Sequence, residues 1–538
     1  MTKSVNNKIV KRVIVFCILT FMLALLPVRA ENYASSEPPV EGRGIWVYAT
    51  SFKNAEELIG NFTLFKSLNL NIIFFLVKGW KPVYFNSSIR PIQPTDWDPL
   101  KVAVEKAHEL GLELHAWFVV FRDPYLAENK SLATVYSDGR LDSNWACPAN
   151  PIVRSHLLKL IEEVVANYNV DGIHLDYIRY NNSRACYCEY CREAYKNETG
   201  REPPLNSSDP DWDNWTAWRI RQVTSFVQEA HALIKSLKPN VKLSAYVFSN
   251  ITDAVHERFQ NWTDWIQKGF VDFLVPGAYT KDMKDFKDRV SRVLNVTGWQ
   301  VPIYMGIGVH AFKNEVQIPE RIVEQINITR TLGAEGQVFF RWFGYSDGEY
   351  LPLNNELAKA LKIAYHNQTY IPHKLTRLVD TLPSIVYSNS TIKSLHFNFT
   401  EKSIMIQVTG PKGTTGFTSI KLPQTVMDND WSGNVTILLD GTPWPFTKVI
   451  AYNWTYLTAE YGHEKVHEIK IMIPEFSTLT LTIFILTILL LCIFIFMKRE
   501  NISSTSSCIN VSCWSTKLKL FKCAQINSLL YNMKNVGD

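Results

Sequence analysis

Eight short apolar segments recur between residues 43 and 343, and helical stretches lie between them. The segments are 43–49, 71–78, 112–121, 172–178, 242–248, 272–279, 302–309 and 337–343. The helical stretches include 99–110, 151–167, 215–237 and 319–332. Strands covered on both faces read as continuous apolar runs, and alternation with helices demands parallel strands joined by crossovers. Eight such units predict a (β/α)8 barrel, an α/β fold of the TIM-barrel type, over residues 42–375. The other arrangement of these units is an open doubly wound sheet. No Gly-x-Gly-x-x-Gly follows the first strand, so nothing supports it.

After residue 375 the rhythm changes. Segments 392–399, 403–408, 434–439 and 466–473 alternate apolar and polar residues between turn signals such as Gly410-Pro411 and Asp440-Gly441. They predict a small antiparallel β-sandwich over 376–473, an independent stalk without catalytic residues. The ends of the 538-residue chain read differently. Residues 1–30 have the basic start, apolar middle and small-residue cleavage site of a signal peptide, and 31–41 read as a polar linker. Residues 474–497 predict a C-terminal transmembrane helix, because 478–497 lack any charge over bilayer length. Lys498-Arg499 then place the tail, 498–538, in the cytoplasm and the rest outside the cell. The net charge of +5 belongs to these ends. Residues 1–30 carry five cations and no acid, and 498–538 carry six against two, which leaves −4 for residues 31–477. A basic nucleic-acid footprint is excluded. Sixteen Asn-x-Ser/Thr sites within 31–477 favour a glycoprotein at the cell surface.

Side chains alternate along a strand, so His174 and Asp176 share the inward side of the fourth strand, with apolar Ile173 and Leu175 outward. The same logic turns His115 and Trp117 inward. Barrel enzymes keep their chemistry at the C-terminal ends of the strands. Trp46, Trp80, Trp117 and Trp342 sit at or near such ends, where flat aromatic faces suit sugar rings. Three blocks are distinctive: Arg43-Gly44-Ile45-Trp46-Val47, Gly111-Leu112-Glu113-Leu114-His115-Ala116-Trp117, and Val170-Asp171-Gly172-Ile173-His174-Leu175-Asp176-Tyr177-Ile178-Arg179-Tyr180. Together with Trp218-Arg219 they resemble the glycosyl-hydrolase-like 10 family over about 42–345. The resemblance implies a barrel acting on glycosides; a poly- or oligosaccharide substrate is expected, and no cofactor is expected for catalysis. Asn181 departs from it, since the family usually has Pro there.

Acetal cleavage ordinarily uses two carboxylates. Asp176 is the nucleophile candidate, with Arg179 expected to hold it ionised. Trp46, His115, Trp117, His174, Arg179, Tyr279 and Trp342 are the candidate substrate contacts. The sequence does not single out the second acid. Asp123, Asp282, Asp347 and Glu349 follow strands three, six and eight. A hydrolase or transglycosylase is the first reading, and a non-catalytic carbohydrate-binding or envelope scaffold on the same barrel is the second.

Of nine cysteines, Cys147, Cys186, Cys188 and Cys191 alone lie within 31–477. The last three form a Cys-x-Cys-x-x-Cys run after strand four, and Cys147 follows strand three. Four thiolates match a closed tetrahedral metal site. The arrangement is similar to the zinc cluster of some family 42 β-galactosidases. Two disulfides are the competing reading in an oxidising compartment.

Overall fold

A computed structural model describes residues 37–372, 375–378, 384–398, 401, 403–429 and 435–472. The expected signal peptide, transmembrane helix and cytoplasmic tail lie outside the described residues. Among the described residues no helix is long and apolar enough to cross a membrane.

Eight parallel strands close into a barrel: β1 (Gly42–Tyr48), β2 (Ile72–Lys78), β3 (Glu113–Val119), β4 (Gly172–Asp176), β5 (Lys242–Phe248), β6 (Phe273–Gly277), β7 (Tyr304–Gly308) and β8 (Gly336–Trp342). Each strand pairs with its neighbours in sequence, and β8 pairs with β1. The outer helices start where the sequence places their caps. Pro99 and Pro151 occupy first-turn positions, where a missing N–H costs nothing. Asp98 Oδ1 accepts from Leu100 N at 3.1 Å, and Asn150 caps Ile152 N at 3.0 Å.

β4 ends sooner than the apolar run suggests. Tyr177 adopts a left-handed backbone with φ of 52°, which breaks the alternation directly after Asp176. Ile178 therefore packs in the core rather than continuing the inward row. A short antiparallel hairpin, Ala133–Val135 with Leu141–Ala146, is inserted after β3.

Residues 37–41, the described part of the expected linker, pack against the barrel. Glu41 is 1% exposed and accepts from Arg330 Nε at 2.7 Å and Arg43 Nε at 2.8 Å. Burial alone would raise its carboxyl, but the two guanidiniums overcome that and hold it at about 2. Residues 37–41 thus belong to the closure of the barrel between β1 and the helix Ile318–Leu332.

Beyond the barrel lie two five-stranded antiparallel sheets. One has the order β9 (Leu375–Leu378), β10 (Ser384–Ser388), β13 (Thr415–Pro423), β17 (Trp454–Gly462), β16 (Thr447–Ala451). The other has β11 (Thr391–Asn398), β12 (Ser403–Thr409), β18 (His467–Met472), β14 (Thr436–Leu439), β15 (Thr442–Pro443). Ile404, Ile406 and Ile471 of the second sheet share a buried cluster with Ile420 and Leu457 of the first. Strands β10, β13 and β17 carry no clean polar alternation. The reason is that the sheet containing them also packs against the barrel, so Tyr387, Lys421 and Tyr456 are buried as well.

Candidate active site at the C-terminal mouth of the barrel

The interior of the barrel is stacked with rings. Low in it, His115 packs on Phe74 and Phe273 with centroids 5.3 Å apart in each pair. His174 lies 4.6 Å from Phe74 and 5.8 Å from Trp46. Both histidines are fully buried. His174 Nδ1 meets Ser244 Oγ at 2.9 Å, and burial pulls its pKa well below the usual histidine value, so it is neutral. The expectation that His115 and His174 touch substrate is therefore corrected. They fill layers under the site, because positions 115 and 174 lie too deep on their strands. Trp342 is corrected too. It faces away from the barrel axis, stacks edge-on against Phe65 at 5.0 Å and donates to Asn61 Oδ1 at 2.8 Å.

Above the ring layers opens a cleft of about 670 Å³. Trp46, Trp117, Asp176, Arg179 and Tyr279 line it, and of these strand alternation had placed Trp117 and Asp176 inward. Tyr48, Trp80, Tyr177, Tyr246, Phe248, His310, Phe340 and Arg341 join them. Tyr246 and Phe248 were legible in principle, since they continue the inward row of Ser244 on β5. Tyr177 was not, because only its left-handed backbone turns it toward the mouth. Trp80 is 51% exposed, with the Arg122 guanidinium 4.1 Å from its ring centroid. A larger groove of about 1280 Å³ runs beneath the barrel beside β11. It lies at the opposite end from Asp176, where barrel folds do not carry their chemistry.

Asp176 is the only carboxylate that lines the cleft among the described residues. Its Oδ2 accepts from Trp117 Nε1 at 3.2 Å and its Oδ1 from Tyr177 N at 2.7 Å. Burial raises its pKa to about 6, against the opposing pull of Arg179, the Tyr177 N–H, Trp117 and Arg122. Arg179, expected to hold Asp176 ionised, does favour the charged form, but burial outweighs it. Arg179 is occupied in an aromatic cradle, 4.8 Å from the Tyr177 ring, 5.0 Å from Trp145 and 5.1 Å from Phe248. Its guanidinium donates to the Tyr180 carbonyl at 3.2 Å.

The four other acids have different tasks. Asp123 is buried between Lys78 and Arg90, each at 2.8 Å. Asp282 caps the helix Met283–Thr297 through Asp285 N at 2.8 Å. Asp347 grips Arg341 with both oxygens, at 2.5 and 2.9 Å, and so aims that guanidinium over Tyr48, 3.9 Å from its ring. Glu349 pairs with Lys313 at the surface. None of the four lines the cleft.

Beside the mouth, the Sγ atoms of Cys147, Cys186, Cys188 and Cys191 lie within 4.8 Å of one another, all buried and all unbridged.

The family model for glycosyl hydrolase-like 10 matches residues 41–325. The chain belongs to this family. The glycosyl hydrolase YngK of Bacillus subtilis is 23% identical over 380 residues, covering 60% of this chain and 72% of that protein. The glycosyl hydrolase DigH of Escherichia coli is 25% identical over 255 residues, covering 39% of this chain and 55% of DigH. Among solved structures, the glycoside hydrolase domain of PgaB (BpsB) from Bordetella bronchiseptica superposes with a TM-score of 0.51. It is 14% identical and covers 60% of this chain and 99% of that domain, which shows the shared barrel fold.

Proposed function

We propose that the chain is a cell-surface glycoside hydrolase that cleaves a poly- or oligosaccharide, with Asp176 as the proton-transferring carboxylate. The observation that carries this reading is Asp176 itself. It is buried at the cleft mouth, fixed by two hydrogen bonds, and raised to about 6, so it can hold a proton near neutral pH. Asp176 would give that proton to the glycosidic oxygen as the bond to the anomeric carbon breaks. Water then adds to that carbon, and its proton returns to Asp176. Trp46, Trp117 and Tyr279 would stack on the apolar sugar faces, and Trp80 with Arg122 would extend that platform outward. Arg179, Arg341 and His310 face the same space and suit sugar hydroxyls. The surface location rests on the predicted signal peptide and membrane anchor.

A single lining carboxylate also fits a carbohydrate-binding barrel that performs no chemistry. Incubating the protein and its Asp176→Asn variant with a glycan panel separates the two readings. Release of reducing ends by the wild type alone supports hydrolysis. Equal retention of glycan by both proteins without product supports binding only.

A further inference from the structure

We propose that Cys147, Cys186, Cys188 and Cys191 bind one zinc ion as a closed four-thiolate site, which fastens the loop after β4 to the hairpin after β3. The proposal stands whether or not Asp176 catalyses. Three observations carry it. The first is the gathering of four buried sulfurs from two separate loops. Cys147 Sγ lies 3.4 Å from Cys191 Sγ and 3.6 Å from Cys188 Sγ. A tetrahedron with Zn–S bonds of about 2.3 Å sets its sulfurs about 3.8 Å apart, so only small adjustments are needed.

The second observation is the surrounding shell. Val135 N donates to Cys186 Sγ at 3.5 Å. Tyr187 N donates to Val135 O at 2.7 Å, and Cys147 N donates to Leu132 O at 2.8 Å. The backbone on either side of the sulfurs is thus already held in place, as metal sites require of their supporting groups.

The third is Arg219. Its guanidinium is fully buried, and among the described residues no carboxylate pairs with it. It donates to the carbonyls of Ser183 at 2.6 Å and Ala185 at 2.8 Å, directly before Cys186, and lies 3.8 Å from the Phe259 ring centroid. A buried cation without a counter-charge is costly. Four thiolates around a divalent zinc carry a net charge of −2, the sign of charge that a buried cation bonded to the backbone just before Cys186 favours.

The clamp acts on the cleft through two short connections. Trp145, two residues before Cys147, forms one wall of the Arg179 cradle. The segment from Arg179 to Cys186 leads directly from that cradle to the metal ligands.

The test is elemental analysis of the full chain, purified without added metal, together with alkylation under denaturing, non-reducing conditions and peptide mapping. The expected result is about one zinc per chain, with all four cysteines alkylated once the ion is chelated. Cys191→Ser should cut bound zinc at least about tenfold. Arg219→Met should speed loss of zinc to a chelator while leaving all four thiols free. Peptides joined by disulfides among these four positions overturn the proposal. So do free thiols without metal, or an iron chromophore in place of zinc.

Discussion

Asp176 decides most of what can be measured at the scale of single residues. Asp176→Asn keeps the shape and an acceptor for the Tyr177 N–H but cannot transfer a proton. Hydrolysis should fall at least about a thousandfold, roughly 4 kcal/mol of transition-state stabilisation, with the circular dichroism spectrum unchanged. The same change should stabilise the fold. In the native chain the folded pKa, about 6, lies above the unfolded value of 3.8. The folded state therefore holds this proton more tightly than the unfolded chain does. Below the unfolded value the carboxyl is protonated in both states and costs nothing. The cost grows as pH rises toward 6 and is complete above it, at about 3 kcal/mol as an upper bound. Urea unfolding should find Asp176→Asn the more stable protein at pH 7, with the difference gone below about pH 3. Trp117 is a positioning residue for the same carboxylate through its Nε1 donor. Trp117→Phe removes a bond that favours the charged form, so the pKa should rise. The limb on which activity declines with pH should move to higher pH, with a modest loss in kcat and an unchanged fold. Restoration of the wild-type limb by a second-site donor is not needed; an unmoved limb already refutes the assignment. The inward row of β4 announced Asp176 in the sequence. Its raised pKa was not legible, because the burial depends on groups from elsewhere in the barrel, such as Trp117 on β3.

At the scale of elements, tight contacts between strands matter more than propensity. Gly172 begins β4 against the ring of His115, and a Cβ there would lie 2.2 Å from Nδ1. That ring cannot give way, since Phe74 and Phe273 hold it on other sides. Gly172→Ala should therefore destabilise the barrel by about 1–3 kcal/mol through overpacking. A denaturation midpoint equal to that of the wild type would show that the histidine repacks freely. The period-two and helical patterns located all eight strands to within a few residues, and the helix Pro151–Asn167 to the residue. Ends defined by backbone geometry escaped, as at Tyr177, where a left-handed residue stops β4. So did depth along the barrel axis. Alternation tells which side a residue faces, but His115, His174 and Asp176 face the same interior at different heights, and only the highest meets solvent.

For the whole molecule, the two antiparallel sheets and the cleft are at opposite ends of the barrel. The contacts between sheets and barrel gather at the N-terminal ends of β7 and β8. Lys421 Nζ reaches the Gly333 carbonyl at 2.7 Å and lies 3.7 Å from the Glu335 carboxylate, while Tyr452 Oη donates to Asn327 Oδ1 at 2.6 Å. Glu335 is buried and its carboxyl is raised by that burial, with Lys421 opposing. Deleting residues 376–470 would leave this acid without its cation and expose apolar surface around Trp299 and Tyr304. The deletion should lower the melting temperature by several degrees yet leave the KM of the surviving folded protein close to that of the full chain. A collapse of KM without loss of stability would place a substrate contact in the sheets. The barrel, the two-part order of the chain, the cysteine set and the inward placement of Asp176 were legible along the chain, because periodicity and local motifs are properties of neighbours in sequence. Which inward residues reach the mouth, the engagement of Asp123, Asp282, Asp347 and Glu349 elsewhere, and the burial that pushes Asp176 toward neutrality became visible in three dimensions alone. Height along the barrel axis, pairing and desolvation depend on groups brought together from distant strands.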